Sequence, residues 1–141
     1  VKAREAIRAA YARYGVRHFV VDHADELDKL LTEIPARDLT IVVRLKTTPD
    51  PSTVYDLSTK FGCDPDTAAA LLDAIHAAGC HSGIAFHVGS QCGAPLAYVT
   101  ALAEVGALVG RSGRWPQLIA VGGGFPAPYV GSEVPPLDAY M

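Results

Sequence analysis

The sequence predicts an α/β fold of parallel strands joined by helical crossovers, and three observations predict it. Four short apolar runs, residues 19–21, 39–45, 84–86 and 118–121, have the length and residue types of buried strands. Between them lie segments whose apolar residues recur at helical spacing, so strand and helix alternate along the chain. Half of the 141 residues are hydrophobic and 19% are charged, a balance that suits a single interior-rich domain and not a disordered segment.

The first helix is read from Ala3, Ile7, Ala10, Tyr11 and Tyr14, with Gly15 just past its end. Tyr11, Tyr14 and Leu27 are read as core packing. Residues 19–21 form a strand that stops at Asp22. Leu27, Leu30, Leu31 and Ile34 mark the next helix, which Pro35 ends, and His23 followed by Glu26 resembles a capping box. Residues 39–45 are the most β-branched stretch, carry Arg44 near their end, and run into a loop at Pro49-Asp50-Pro51-Ser52. Asp64-Pro65 is a strong helix start, with Asp as N-cap and Pro in the first position. Leu71, Leu72, Ile75 and Ala78 give that helix its apolar face before Gly79 closes it. Residues 84–86 make the central strand, and Pro95 opens a helix with Leu96, Val99, Leu102, Gly106 and Val109 along one side. The last strand precedes a Pro-rich tail that ends in a helical start over 136–140. Strand–helix units in this order allow an open doubly wound sheet or part of a (β/α)8 barrel, which ordinarily needs about 250 residues. The pattern leaves both open.

Two strand ends carry the chemistry. The central strand runs into His87, Gly89 and Ser90, and the last runs into Gly122-Gly123-Gly124-Phe125-Pro126. Ligands of α/β folds bind where strands end in loops. A histidine ring, a hydroxyl and three glycines at such ends suit a flat, phosphorylated ligand. Gly122, Gly124 and Ala127 also fit the loose dinucleotide pattern G-x-G-x-x-A, but Pro126 and Pro128 forbid a helix directly after the glycines. Gly89-Ser90-Gln91-Cys92 is not a nucleophile elbow, and Cys92 reads as a small buried residue. Arg44 either lies beside the ligand or pairs with a carboxylate such as Asp22.

Other classes are disfavoured. A net charge of −3 with scattered Lys and Arg gives no footprint for nucleic acid. No apolar run approaches the roughly 20 residues of a membrane span. His76 and His81 straddle a helix end without useful ligand spacing, so no metal site is expected. Cys63, Cys80 and Cys92 form neither a C-x-x-C pair nor an even set, which points to reduced thiols and a cytoplasmic protein.

Three strings in order, Lys60-Phe61-Gly62-Cys63-Asp64-Pro65-Asp66, Phe86-His87-Val88-Gly89-Ser90-Gln91 and Gly122-Gly123-Gly124-Phe125-Pro126, resemble the ornithine/diaminopimelate/arginine decarboxylase family. The closing Val134-Pro135-Pro136-Leu137-Asp138-Ala139-Tyr140 looks most like the bacterial ornithine decarboxylases of polyamine biosynthesis. The likeness is collinear over essentially the whole chain. It implies an alanine-racemase-like (β/α)8 barrel, pyridoxal 5′-phosphate as cofactor and a small amino acid as substrate. It implies that residues 1–141 are a segment from the middle of the barrel, without the strand of the Schiff-base lysine or the C-terminal β-domain. His87 would stack on the cofactor ring as the catalytic-site histidine, while Ser90, Gly122, Gly123 and Gly124 would hold its phosphate. Arg44 would lie beside the cofactor, and Lys60 would sit near a dimer interface. None of Lys2, Lys29, Lys46 or Lys60 lies in the Schiff-base motif, so the chain is expected to be inactive alone. An open-sided barrel segment also implies a homodimer or association with the rest of a barrel. Two alternatives stand beside this: a non-catalytic decarboxylase-like binding or regulatory protein, and a flavodoxin-like phosphate-binding domain. Strand order separates the second, because a barrel arc keeps sequence order and an open sheet switches it.

Overall fold

The computed structural model describes residues 1–35, 37–131 and 133–141. Its elements run α1 (Arg4–Tyr14), β1 (His18–Val21), α2 (Ala24–Glu33), β2 (Thr40–Arg44), α3 (Pro65–Ala77), β3 (His81–Ala85), α4 (Leu96–Ser112) and β4 (Leu118–Ala120), then a short 3-10 turn, Leu137–Tyr140. The strands are parallel and neighbour one another in sequence order, β1-β2-β3-β4. There is no switch point, so this is an arc of barrel and not a doubly wound sheet. The flavodoxin-like alternative falls on that order.

Register divides the sheet into two faces. Phe19, Val21, Ile41, Val43 and Ile84 point to the helix layer, where they join Ile7, Leu27, Leu30, Leu72 and Ile75 in one buried core. Val20, Val42, Gly83 and Leu118 are aligned as a row on the opposite face. Gly83 keeps that row tight, since a Cβ would lie 3.1 Å from Val42 Cγ2 and 3.2 Å from the Leu118 carbonyl.

The helix boundaries follow local chemistry. Asp64 Oδ1 accepts from the amides of Asp66 and Thr67 at 3.0 and 2.9 Å, with Pro65 in the first turn. Gly15 ends α1 in the left-handed conformation, at φ 66°. Four expectations need correction. His23 caps α2 by accepting from the Asp25 amide, but Glu26 does not close the box. Its carboxylate instead takes Lys29 Nζ at 2.6 Å and Lys2 Nζ at 3.1 Å, because α1 brings Lys2 against it. Tyr14 is 68% exposed and outside the core. In α4 the buried face is Ala97, Tyr98, Ala101, Val105, Leu108 and Val109, whereas Leu96, Val99 and Leu102 are exposed. That helix is apolar nearly all round, so periodicity could not choose its inner side. Residues 137–140 form a 3-10 turn, not an α-helix.

Candidate functional site

Because β3 and β4 are neighbours, the loops that follow them leave the sheet together. The Phe86 amide still donates to the Ala120 carbonyl at 3.1 Å, and beyond that point the loops fold onto each other. Gly122 and Gly124 have φ values of 71° and 99°, in the left-handed region that favours glycine. A Cβ on Gly122 would lie 2.3 Å from the Phe86 carbonyl, and one on Gly124 would lie 2.1 Å from the Gly89 carbonyl. No side chain fits at either position, so backbone packs directly on backbone. Gly123 faces His87, whose Nε2 lies 3.5 Å from the place its Cβ would take.

His87 is half-buried, and its Nδ1 accepts from the Gly89 amide at 3.0 Å. Burial and then the nearby charge of Arg44 push its pKa below the ordinary histidine value. The ring is therefore neutral at pH 7, and with Nδ1 accepting, its proton sits on Nε2. Arg44 pairs with Ala85 across the sheet, so His87, two residues further on, returns to the face that carries Arg44. The Arg44 guanidinium lies 4.9 Å over the Phe61 ring, and both line one cleft with His87. It does not pair with Asp22, whose Oδ2 accepts from the Gly62 amide at 3.0 Å.

Ser90 is fixed through its backbone. Its amide donates to the Tyr55 carbonyl and its carbonyl accepts from the Val54 amide, both at 3.0 Å. Its hydroxyl makes no hydrogen bond among the described residues. Neither do the amides of Gly122, Gly123 and Gly124 donate to any other described group. A hydroxyl, unspent amides in a left-handed glycine turn and a neutral imidazole thus converge at one end of the sheet. That donor set suits an oxyanion, and the half-buried flat ring beside it suits a planar heterocycle.

Two residues of this region escaped sequence reasoning. Gln91 is the only described non-glycine residue with positive φ, at 53°. Its side chain donates to the Ala127 carbonyl at 2.9 Å and accepts from the Ala127 amide at 3.0 Å, which ties the two loops together. Tyr98, 6% exposed on α4, donates its hydroxyl to the Gly123 carbonyl at 3.1 Å. Its ring stacks on Phe125 at 4.8 Å and meets Tyr140 edge-on at 5.6 Å. A correct choice of the inner face of α4 would have found Tyr98, but nothing in the pattern marks Gln91.

A cavity of about 500 Å³ adjoins Arg44 on its other side, between Val20, Asp22, Glu26, Lys29 and Phe61. Its central acid, Glu26, is already held by Lys2 and Lys29. No described helix is long and apolar enough to cross a membrane.

The chain resembles known proteins over almost its whole length. The family model "Pyridoxal-dependent decarboxylase, pyridoxal binding domain" matches residues 1–140. The chain is 36% identical over 132 residues to the lysine/ornithine decarboxylase of Selenomonas ruminantium, covering 91% of this chain and 33% of that enzyme. It superposes on the lysine/ornithine decarboxylase of Vibrio vulnificus complexed with putrescine with a TM-score of 0.80 at 32% identity, over 99% of this chain and 36% of that one. The arginine decarboxylase of Paramecium bursaria Chlorella virus gives a TM-score of 0.81 at 27% identity, over 99% and 38%. The chain therefore belongs to the pyridoxal-dependent decarboxylase family and forms parallel β/α units of its alanine-racemase-like barrel. It spans about one third of the length of the relatives it matches.

Proposed function

We propose that this chain supplies the phosphate and ring contacts of pyridoxal phosphate in an amino-acid decarboxylase of the ornithine/lysine type. The observation that carries the reading is the packing of Gly122–Gly124 against the backbone of residues 86–89, which joins two separate motifs into one pocket. In this reading the unspent glycine amides and the Ser90 hydroxyl hold the cofactor phosphate. His87 lays its neutral ring on the cofactor ring and fixes its tilt without adding charge. Arg44, braced on Phe61, keeps positive potential at the same strand ends. When bound, pyridoxal phosphate supplies the electron sink for loss of a substrate carboxylate. The substrate class follows from relatives that act on lysine, ornithine and arginine.

The open flanks of the β1–β4 arc support a homodimer or association with further barrel elements, because unpaired strand edges demand cover. The buried thiols of Cys63 and Cys92 support the cytoplasm as its compartment. None of Lys2, Lys29, Lys46 or Lys60 lies in the Schiff-base motif that the family resemblance implies, so this polypeptide alone is not expected to turn over.

The test is cofactor binding together with carbon dioxide release from ornithine, lysine and arginine, for the protein and for His87→Ala and Ser90→Ala. Binding that weakens in both variants supports the assigned contacts, and turnover identifies the substrate. Binding without turnover is expected of this polypeptide alone; only the same result in a form that carries an imine-forming lysine favours the non-catalytic reading. Absence of pyridoxal phosphate binding sinks the proposal.

A further inference from the structure

Residues outside the pocket decide which way its glycine amides point. In a trans peptide the C=O and N–H are antiparallel, so fixing one fixes the other. No described peptide bond is cis. The Gly123 carbonyl is held by the Tyr98 hydroxyl at 3.1 Å, which turns the Gly124 N–H away from α4. The Gly124 carbonyl is held by the Cys92 amide at 2.8 Å, which orients the Phe125 N–H in the same way. The Cys92 tether is backbone, whereas the Tyr98 tether is a side chain and can be removed.

We propose that Tyr98 is a positioning residue for the anion site, acting through the Gly123 carbonyl to aim the Gly124 amide at the bound phosphate. This rests on the reading of the glycine turn as the phosphate site. Several contacts make the tether stiff. The Tyr98 ring lies 9° from parallel to Phe125, and Tyr140 closes its edge at 87°. Tyr140 is itself tied by its hydroxyl to the Cys92 carbonyl at 2.8 Å. Burial pushes the Tyr98 phenol up to about 12, so it remains a donor across the physiological range.

The experiment titrates the wild-type protein, Tyr98→Phe and Tyr140→Phe with pyridoxal phosphate and with pyridoxal, which has the ring but no phosphate. Tyr98→Phe keeps the aromatic packing and deletes one hydrogen bond. It should weaken pyridoxal phosphate about fivefold to tenfold and leave pyridoxal within about twofold. The phosphorus NMR resonance of the bound cofactor should shift in this variant. Tyr140→Phe loses a comparable bond that reaches the glycine turn only indirectly, through Cys92, and its loss of preference should be clearly smaller than that of Tyr98→Phe. An unchanged preference in Tyr98→Phe overturns the inference, whether both ligands keep their affinity or lose it equally. So does a loss of preference in Tyr140→Phe of the same size. If the wild-type protein does not distinguish the two ligands, the phosphate-site reading itself fails and the inference goes with it.

Discussion

The Gly89 carbonyl occupies the place that a Cβ on Gly124 would take, 2.1 Å away. Gly89 and Gly124 follow different strands, yet their loops pack backbone on backbone. A side chain at Gly122 or Gly124 would push the two loops apart.

Gly122→Ala and Gly124→Ala should each destabilise the protein by about 2 kcal/mol or more, since a left-handed conformation and a backbone overlap are both imposed. Gly123→Ala meets only His87 Nε2 at 3.5 Å, an ordinary contact, and should cost less than about 1 kcal/mol. Urea midpoints measure the contrast. Equal losses at all three positions would count against the described loop packing.

His87 should titrate below the ordinary histidine value near 6.5, because burial and then Arg44 disfavour the charged ring. The unfolded chain binds its proton more readily, so this residue contributes stability above about pH 6.5 that is lost as pH falls through its folded value. Nitrogen-15 NMR of the imidazole checks the midpoint and the proton on Nε2. Arg44→Ala should move the midpoint upward, and no movement would separate Arg44 from the pocket.

Glu26 behaves as an acid-sensitive staple. Burial pushes its carboxyl up, but hydrogen bonds from Lys29 and Lys2 prevail and lower it to about 2. The folded value lies below the unfolded one, so the contribution is present above about pH 4.5 and disappears as pH drops towards 2. Glu26→Gln should flatten this part of the acid unfolding curve. A wild-type curve already flat from pH 5 to 2 would contradict the arrangement.

Gln91→Ala should lose about 1–2 kcal/mol from the two bonds to Ala127, and it keeps the left-handed strain that alanine also resists. Gln91→Gly loses the same bonds but relieves the backbone, so it should be more stable than the alanine variant. Thermal melts rank the two, and the reverse order would refute strain at φ 53°.

Much of this molecule is written locally. Alternation of apolar runs with helical spacing set the α/β class, and Asp64-Pro65 and Gly15 marked helix ends that the structure places there. His87, Ser90 and the glycines stood out because their residue types and short spacings carry local chemistry. Their neighbouring positions followed only from strand order, since periodicity specifies that a segment is a strand but not which strand lies beside it. The inner face of α4 was misread for a related reason. Leu96, Val99 and Leu102 are as apolar as the buried side, and the sheet alone selects Tyr98, Ala101 and Val105. Glu26 looked like a cap and became an ion-pair centre, because Lys2 reaches it from the segment just before α1. The sequence by itself determined the elements and the chemical vocabulary of the pocket, because both depend on neighbours along the chain. Only the tertiary structure decided that the β3 and β4 loops meet, that Arg44 braces on Phe61 and that Tyr98 holds Gly123, because each joins residues far apart in sequence through contacts that no local preference encodes.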